Sequence, residues 1–175
     1  MYLMHRLSFI KEVIIVIIAI IVAVLMVVID QVSKFLVVQN MELGESVTII
    51  PGLLDFTYTH NDGMAFGIGS ESFRWVFIVV TLVVCGLLIF MTTKDDFKSK
   101  VFYAAVALIV GGGIGNLIDR IFNGYVVDFL ALSFFPPVCN FADYCVTAGT
   151  ILLIVFIVFY YGKNKKQTDN SDNNE

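Results

Sequence analysis

Val13-Ile14-Ile15-Val16-Ile17-Ile18-Ala19-Ile20-Ile21-Val22-Ala23-Val24-Leu25-Met26-Val27-Val28-Ile29, followed at once by Asp30-Gln31-Val32-Ser33-Lys34, decides what kind of fold this chain can adopt. A charge-free run of that length approaches what a helix needs to cross the hydrocarbon core of a bilayer. Three further runs have the same character: Trp75–Thr93, Val101–Ile118 and Tyr144–Gly162. With 58% hydrophobic residues and a mean hydropathy of +0.88, the composition does not suit a soluble globule. The reading is an α-helical membrane protein with four transmembrane helices, over about 13–29, 75–93, 101–118 and 144–162. They belong to one domain, residues 1–163, and the polar 164–175 is expected to be a disordered cytoplasmic tail.

The first run has a rival reading as a secretory signal, because Arg6 and Lys11 precede it. It is longer than a usual signal core, however, and it meets Asp30 without a small-residue cleavage pattern. It is read as a retained span. The basic residues then orient the bundle. Arg6 and Lys11 precede span one, Lys94, Lys98 and Lys100 join spans two and three, and Lys163, Lys165 and Lys166 follow span four. Only Lys34, Arg74 and Arg120 fall on the other side. This positive-inside bias puts both termini in the cytoplasm and the Asp30–Phe73 connection and the Asp128 and Asp143 loops outside. The formal net charge of −4 is less informative, because acids lie on both sides.

Function must be sought among the polar residues. Asp128 and Asp143 stand out, with no charge between Phe129 and Ala142. An ionisable group at a membrane is costly to keep, so each is a candidate functional group. The three cysteines, Cys85, Cys139 and Cys145, form no C-x-x-C. With two histidines, His5 and His60, a histidine-rich zinc site and a serine–histidine protease both lack parts.

Between spans one and two, Asp30–Val38 continues the helix, and Glu45–Phe66 reads as extended. Val47-Thr48-Ile49-Ile50, a Pro51-Gly52 turn and Leu53–His60 suggest a small hairpin or sheet on the outer membrane surface, closed by Asn61-Asp62-Gly63. Gly111 and Gly115 have the small-x-x-x-small spacing that lets helices approach closely. After Arg120, Phe134-Phe135-Pro136-Pro137 rules out one continuous helix. A short interfacial helix followed by a break is expected there, with span four starting at about Asn140 to Asp143.

Each polar residue also has a plain structural explanation. Asp30 and Lys34, four apart, form an ion pair at a helix end. Asn61 and Asp62 make a turn. Asn116 either bonds a neighbouring helix or orients a substrate. Asp119 closes a helix, and Arg120 snorkels to the interface. Asn140 caps span four with Asp143 at its third position, where a carboxylate suits the helix dipole. Yet all of them map to the outer ends of spans or to outer loops. One convergent polar site explains them together.

The runs that carry these residues are Asp30-Gln31-Val32-Ser33-Lys34, Asn61-Asp62-Gly63-Met64-Ala65-Phe66, Gly115-Asn116-Leu117-Ile118-Asp119-Arg120, Gly124-Tyr125-Val126-Val127-Asp128-Phe129 and Asn140-Phe141-Ala142-Asp143. With them the chain resembles the bacterial lipoprotein signal peptidases, the signal peptidase II family, over nearly its whole length. The resemblance implies a membrane aspartic endopeptidase with Asp128 and Asp143 as its catalytic dyad. Its substrate would be a lipid-modified prolipoprotein, cut just before a cysteine carrying a diacylglyceryl group. Asn61, Asn116, Arg120 and Asn140 would hold the substrate backbone and the dyad, with Asp30, Lys34 and Asp119 as structural support. The family fold it implies has four helices, an extracytoplasmic β-cradle and a short outer helix, in the bacterial cytoplasmic membrane with the site at the outer face. Cys139 stands where the family usually has phenylalanine, and Tyr144 where a small residue is common.

The chemistry also follows from the residues. Two neighbouring carboxylates cannot both ionise easily, so the pair keeps one proton and titrates as a unit. The ionised partner draws a proton from water, which attacks the scissile carbonyl, while the protonated partner donates to the oxyanion. This needs no metal and no organic cofactor. The expected partners are the prolipoprotein and membrane lipid, with no nucleic acid. The competing class is a small proton- or ion-coupled transporter, since buried carboxylates also relay protons. A serine–lysine peptidase on Ser33 and Lys34 is disfavoured, because adjacent helical residues do not face each other.

Overall fold

A computed structural model describes residues 2–63 and 70–161. Four helices carry the bulk of the chain: α1 (Tyr2–Asn40), α2 (Ser70–Met91), α3 (Lys100–Phe122) and α4 (Phe141–Phe156), the last ending in a π-helical turn, Ile157–Tyr161. All four are long and apolar enough to cross a bilayer. They are not equivalent. In its most apolar window α1 has 0% of residues buried inside the protein, whereas α3 has 61%. α3 is therefore the central helix, touching α1, α2 and α4, and α1 is a lipid-facing stave.

Glycine makes that centre possible. A Cβ on Gly111 would come within 2.9 Å of Ala23 O and Met26 Cβ on α1, and one on Gly112 would overlap Ala142 O on α4. The backbones of three helices thus meet at one level of α3, closer than any larger residue permits.

A four-stranded antiparallel sheet, in the order β1-β2-β3-β4, closes one end of the bundle. β1 (Ser46–Ile50) and β2 (Leu54–Asn61) come from the α1–α2 connection, and β3 (Val126–Leu132) and β4 (Phe135–Cys139) from the α3–α4 connection. Of the extended segment expected over 45–66, residues 64–66 lie outside the described residues, as does the tail 164–175. Val127 and Phe129 of β3 pack with Tyr58 of β2 against Val37 of α1, which fixes the sheet to the bundle. At the opposite end Phe102, Phe156 and Leu88 form a second core.

The short interfacial helix expected between spans three and four is not there: that segment is the β3–β4 hairpin. The run Val126–Leu132, apolar except for Asp128, is too short to distinguish strand from helix by periodicity, and the open edge of β2 settles the matter by offering a ladder to pair with. Pro136 and Pro137 fit the same account. Neither has an N–H to donate, and β4 is an edge strand, paired at Leu130↔Cys139 and Leu132↔Phe135.

Candidate active site

Asp128 sits in the middle of β3, opposite Thr59 of β2, and Asp143 in the first turn of α4. Two asparagine amides join them. Asn140 Nδ2 donates to Asp128 Oδ1 at 2.6 Å and to Asn116 Oδ1 at 3.0 Å, and Asn116 Nδ2 donates to Asp143 Oδ1 at 2.8 Å. On the other side of Asp128, Asn61 Nδ2 donates to Oδ2 at 2.8 Å. Asn61 keeps its turn chemistry as well, since its Oδ1 accepts from Gly63 N at 3.0 Å, with Gly63 at φ +68°. Asn61 thus closes its turn and bonds Asp128 at once.

Asn140 likewise has two duties in hydrogen bonding. It caps α4 in a full capping box: its Oδ1 accepts from Asp143 N at 3.0 Å, and Asp143 Oδ2 accepts from Asn140 N at 3.1 Å. Asp143 is thereby aimed by the first turn of its own helix, and Asn140 Nδ2 is left to face the β3 carboxylate.

Beneath this pair lies a buried charge cluster. Lys34 Nζ meets Asp30 Oδ2 at 2.8 Å, Asp119 Oδ2 at 3.0 Å and Asn116 Oδ1 at 2.8 Å, so its three hydrogens have three acceptors. Its exposure is 3%, with Asp30 at 0% and Asp119 at 2%, and charges so deep persist only when paired. The two acids reach on to other elements. Asp30 Oδ1 accepts from Ala142 N at 3.0 Å, and Asp119 Oδ2 accepts from Val127 N at 3.0 Å. One lysine thus ties α1, α3, the start of β3 and the start of α4. Through Asn116 it also touches the amide chain between Asp128 and Asp143.

Arg120 stands to one side. Its guanidinium lies 4.8 Å from the centre of the Phe77 ring, and Nη1 donates to Asn116 O at 3.4 Å, without bonding either aspartate. All nine residues singled out in the sequence are therefore in or against one network, Arg120 at its margin. Gln31 was missed. Its Nε2 lies 3.2 Å from Asp30 Oδ2, 3.1 Å from Gly115 O and 3.1 Å from Asp119 Oδ1. Its place between Asp30 and Lys34 was the available signal. Ser33 Oγ donates to Asp30 O at 2.8 Å, which leaves no serine–lysine pair.

The electrostatics favour holding a proton here. Burial raises the Asp128 carboxyl from the ordinary 3.8 to about 6. The Asn61 hydrogen bond pulls against that rise, the Asp143 charge adds to it, and the Asn140 hydrogen bond and Lys34 oppose it. Cys139, half-buried at the end of β4, has its thiol pushed up by burial and then by Asp143 and Asp128. It is a free thiol, as are Cys85 and Cys145.

A profile of the signal peptidase (SPase) II family matches residues 8–159. The chain belongs to the signal peptidase II family. Its relatives include a lipoprotein signal peptidase of Listeria monocytogenes serotype 4a, 38% identical over 134 residues, covering 75% of this chain and 86% of that one. The lipoprotein signal peptidase of Symbiobacterium thermophilum is 41% identical over 136 residues, covering 75% and 88%. Among solved structures, a bacterial membrane enzyme determined in meso at 1.9 Å superposes with a TM-score of 0.76 at 34% identity, covering 81% of this chain and 93% of that one. A second, at 2.3 Å, gives 0.73 at 34% identity, covering 80% and 87%. Signal peptidase II membership and four apolar helices make this a multi-pass bacterial membrane protein of a peptidase family.

Proposed function

We propose that this chain is a membrane aspartic endopeptidase that removes the signal peptide from diacylglyceryl-modified prolipoproteins, cutting just before the lipidated cysteine. One observation carries the reading: Asp128 and Asp143 are joined through the Asn140 and Asn116 amides at the sheet end of the bundle. The pair shares one proton, and burial of Asp128 favours keeping it. The ionised partner takes a proton from water as the oxygen attacks the scissile carbonyl. The protonated partner donates to the carbonyl oxygen; on collapse the first aspartate passes the proton it drew from water to the departing amine, and the second recovers one from a hydroxyl of the intermediate. Asn61, Asn116 and Asn140 hold the pair, Arg120 at the margin of the network joins them in holding the substrate backbone, and Asp30, Lys34 and Asp119 support them from below.

The lipid of the substrate stays in the bilayer while the extended peptide crosses the site beside β2. On this reading both termini are cytoplasmic and the site opens at the outer face of the bacterial cytoplasmic membrane. The working unit is residues 1–163, with 164–175 outside it.

The test incubates the purified chain with a lipid-modified prolipoprotein and maps the product by mass spectrometry. Asp128→Asn and Asp143→Asn should each insert into the membrane and cut nothing. Full cleavage by either variant sinks the pair, and cleavage elsewhere than before the lipidated cysteine sinks the substrate assignment.

A further inference from the structure

At the end of the bundle remote from Asp128 and Asp143, a groove of about 670 Å³ runs between α1 and α3. That is within the ~300–1,000 Å³ of sites that hold small ligands. Its α1 wall is Ile14, Ile15, Ile18 and Val22, headed by Lys11. Its α3 wall is Tyr103, Ala104, Ala107 and Leu108, headed by Lys100. Both walls repeat at helical spacing, so each lysine stands at the mouth of an apolar stripe on its own helix. From Lys11 to Val22 a helix rises about 16 Å, and one leaflet of a ~30 Å hydrocarbon core is about as deep.

Near the mouth, Asp96 is an exposed acid in no ion pair among the described residues, and two other acids are taken up within the protein. Glu12 and Asp95 are both taken by Lys98, whose Nζ lies 2.9 Å from Glu12 Oε2 and 2.8 Å from Asp95 Oδ1. Lys94 is turned away, over the Phe90 ring at 4.7 Å. Lys11 and Lys100 are exposed and in no ion pair among the described residues. The lining is otherwise apolar, and Tyr103 has its hydroxyl directed to Thr92 O at 3.4 Å. Two free cations over a chain-length apolar trough match an anionic headgroup on a hydrocarbon tail.

We infer that this groove binds one anionic phospholipid, its phosphate between Lys11 and Lys100 and an acyl chain along the α1–α3 trough. On the orientation proposed above, that lipid belongs to the cytoplasmic leaflet, where anionic lipids attract basic residues. The site is separate from the Asp128–Asp143 region, and its occupancy can be read without any cleavage.

The test is native mass spectrometry of the full chain in detergent micelles with equimolar dioleoyl phosphatidylglycerol and dioleoyl phosphatidylcholine. One phosphatidylglycerol should be retained at least tenfold in preference to phosphatidylcholine. Lys11→Gln with Lys100→Gln should abolish the preference, each lysine accounting for about fivefold. Lys94→Gln removes the same charge nearby and should leave the preference intact. Ala104→Phe fills the trough from an exposed position and should cost retention of both lipids without changing charge. Equal retention of the two lipids by the unaltered chain overturns the inference. So does an equal loss in Lys94→Gln, which would reduce the effect to a diffuse basic field.

Discussion

Lys34→Met places the central claim about the buried cluster under strain. The substitution keeps an unbranched apolar stem and removes the ammonium that meets Asp30 at 2.8 Å, Asp119 at 3.0 Å and Asn116 at 2.8 Å. Asp30 and Asp119 are 0% and 2% exposed, so water cannot replace it. Orphaning a buried charge in this way costs about 3–5 kcal/mol. At roughly 2–4 °C per kcal/mol for a chain of this size, the midpoint of thermal unfolding should fall on the order of 10 °C. The measurement is circular dichroism of the purified chain in detergent, for Lys34→Met alone and with Asp30→Asn added. The deficit should be smaller in the double variant, because the asparagine removes one of the two orphaned charges. An unchanged midpoint in Lys34→Met, or no recovery in the double variant, would refute the electrostatic account and leave only lost packing.

Further perturbations bear on the site and on the helix packing that carries it. With Asp128 holding its proton up to about pH 6, kcat/KM should decline as pH rises through about 6; in Asn61→Ala, which loses a bond favouring the ionised form, that decline should move to higher pH. The same shift makes Asp128 stabilising below 3.8 and less so as pH rises through about 6, a trend that unfolding midpoints of Asp128→Asn should lack. Asn140→Ala should lower stability by about 1 kcal/mol through the lost cap and cut cleavage at least a hundredfold. Asn140→Ser should restore the stability but not the cleavage, because serine caps without bridging Asp128 to Asn116. Gly112→Ala drives a methyl group into Ala142 O and should abolish folded protein in the membrane, whereas Gly86→Ala, with nothing within 4 Å, should accumulate normally.

The parts of this molecule legible in its sequence are those where lipid imposes the rule. Four charge-free runs became four helices, because backbone groups in a bilayer must be satisfied within the segment. The polar residues of the site were legible for the complementary reason: in such a chain each Asn or Asp is an anomaly that demands a partner. The β3–β4 hairpin was not legible. Phe129–Phe135 carries no periodicity that separates a strand from an interfacial helix, and the deciding fact, an unpaired edge on β2, lies some seventy residues away. Gln31 escaped for another reason. Neighbours on a helix point in different directions, yet a glutamine is long enough to reach Asp30, Gly115 and Asp119 together. Spacing arguments treat side chains as directions and miss their reach.

The capping box of α4 has a further consequence. Asp143 is aimed by the hydrogen bonds that begin its helix, so starting that helix and arming the carboxylate are a single event. That turn is no loose end: Asn140 and Ala142 are 0% exposed, and Ala142 N donates to Asp30 Oδ1 at 3.0 Å. Fraying belongs to ends with few buried contacts, so Asp143 should stay aimed until the bundle itself gives way.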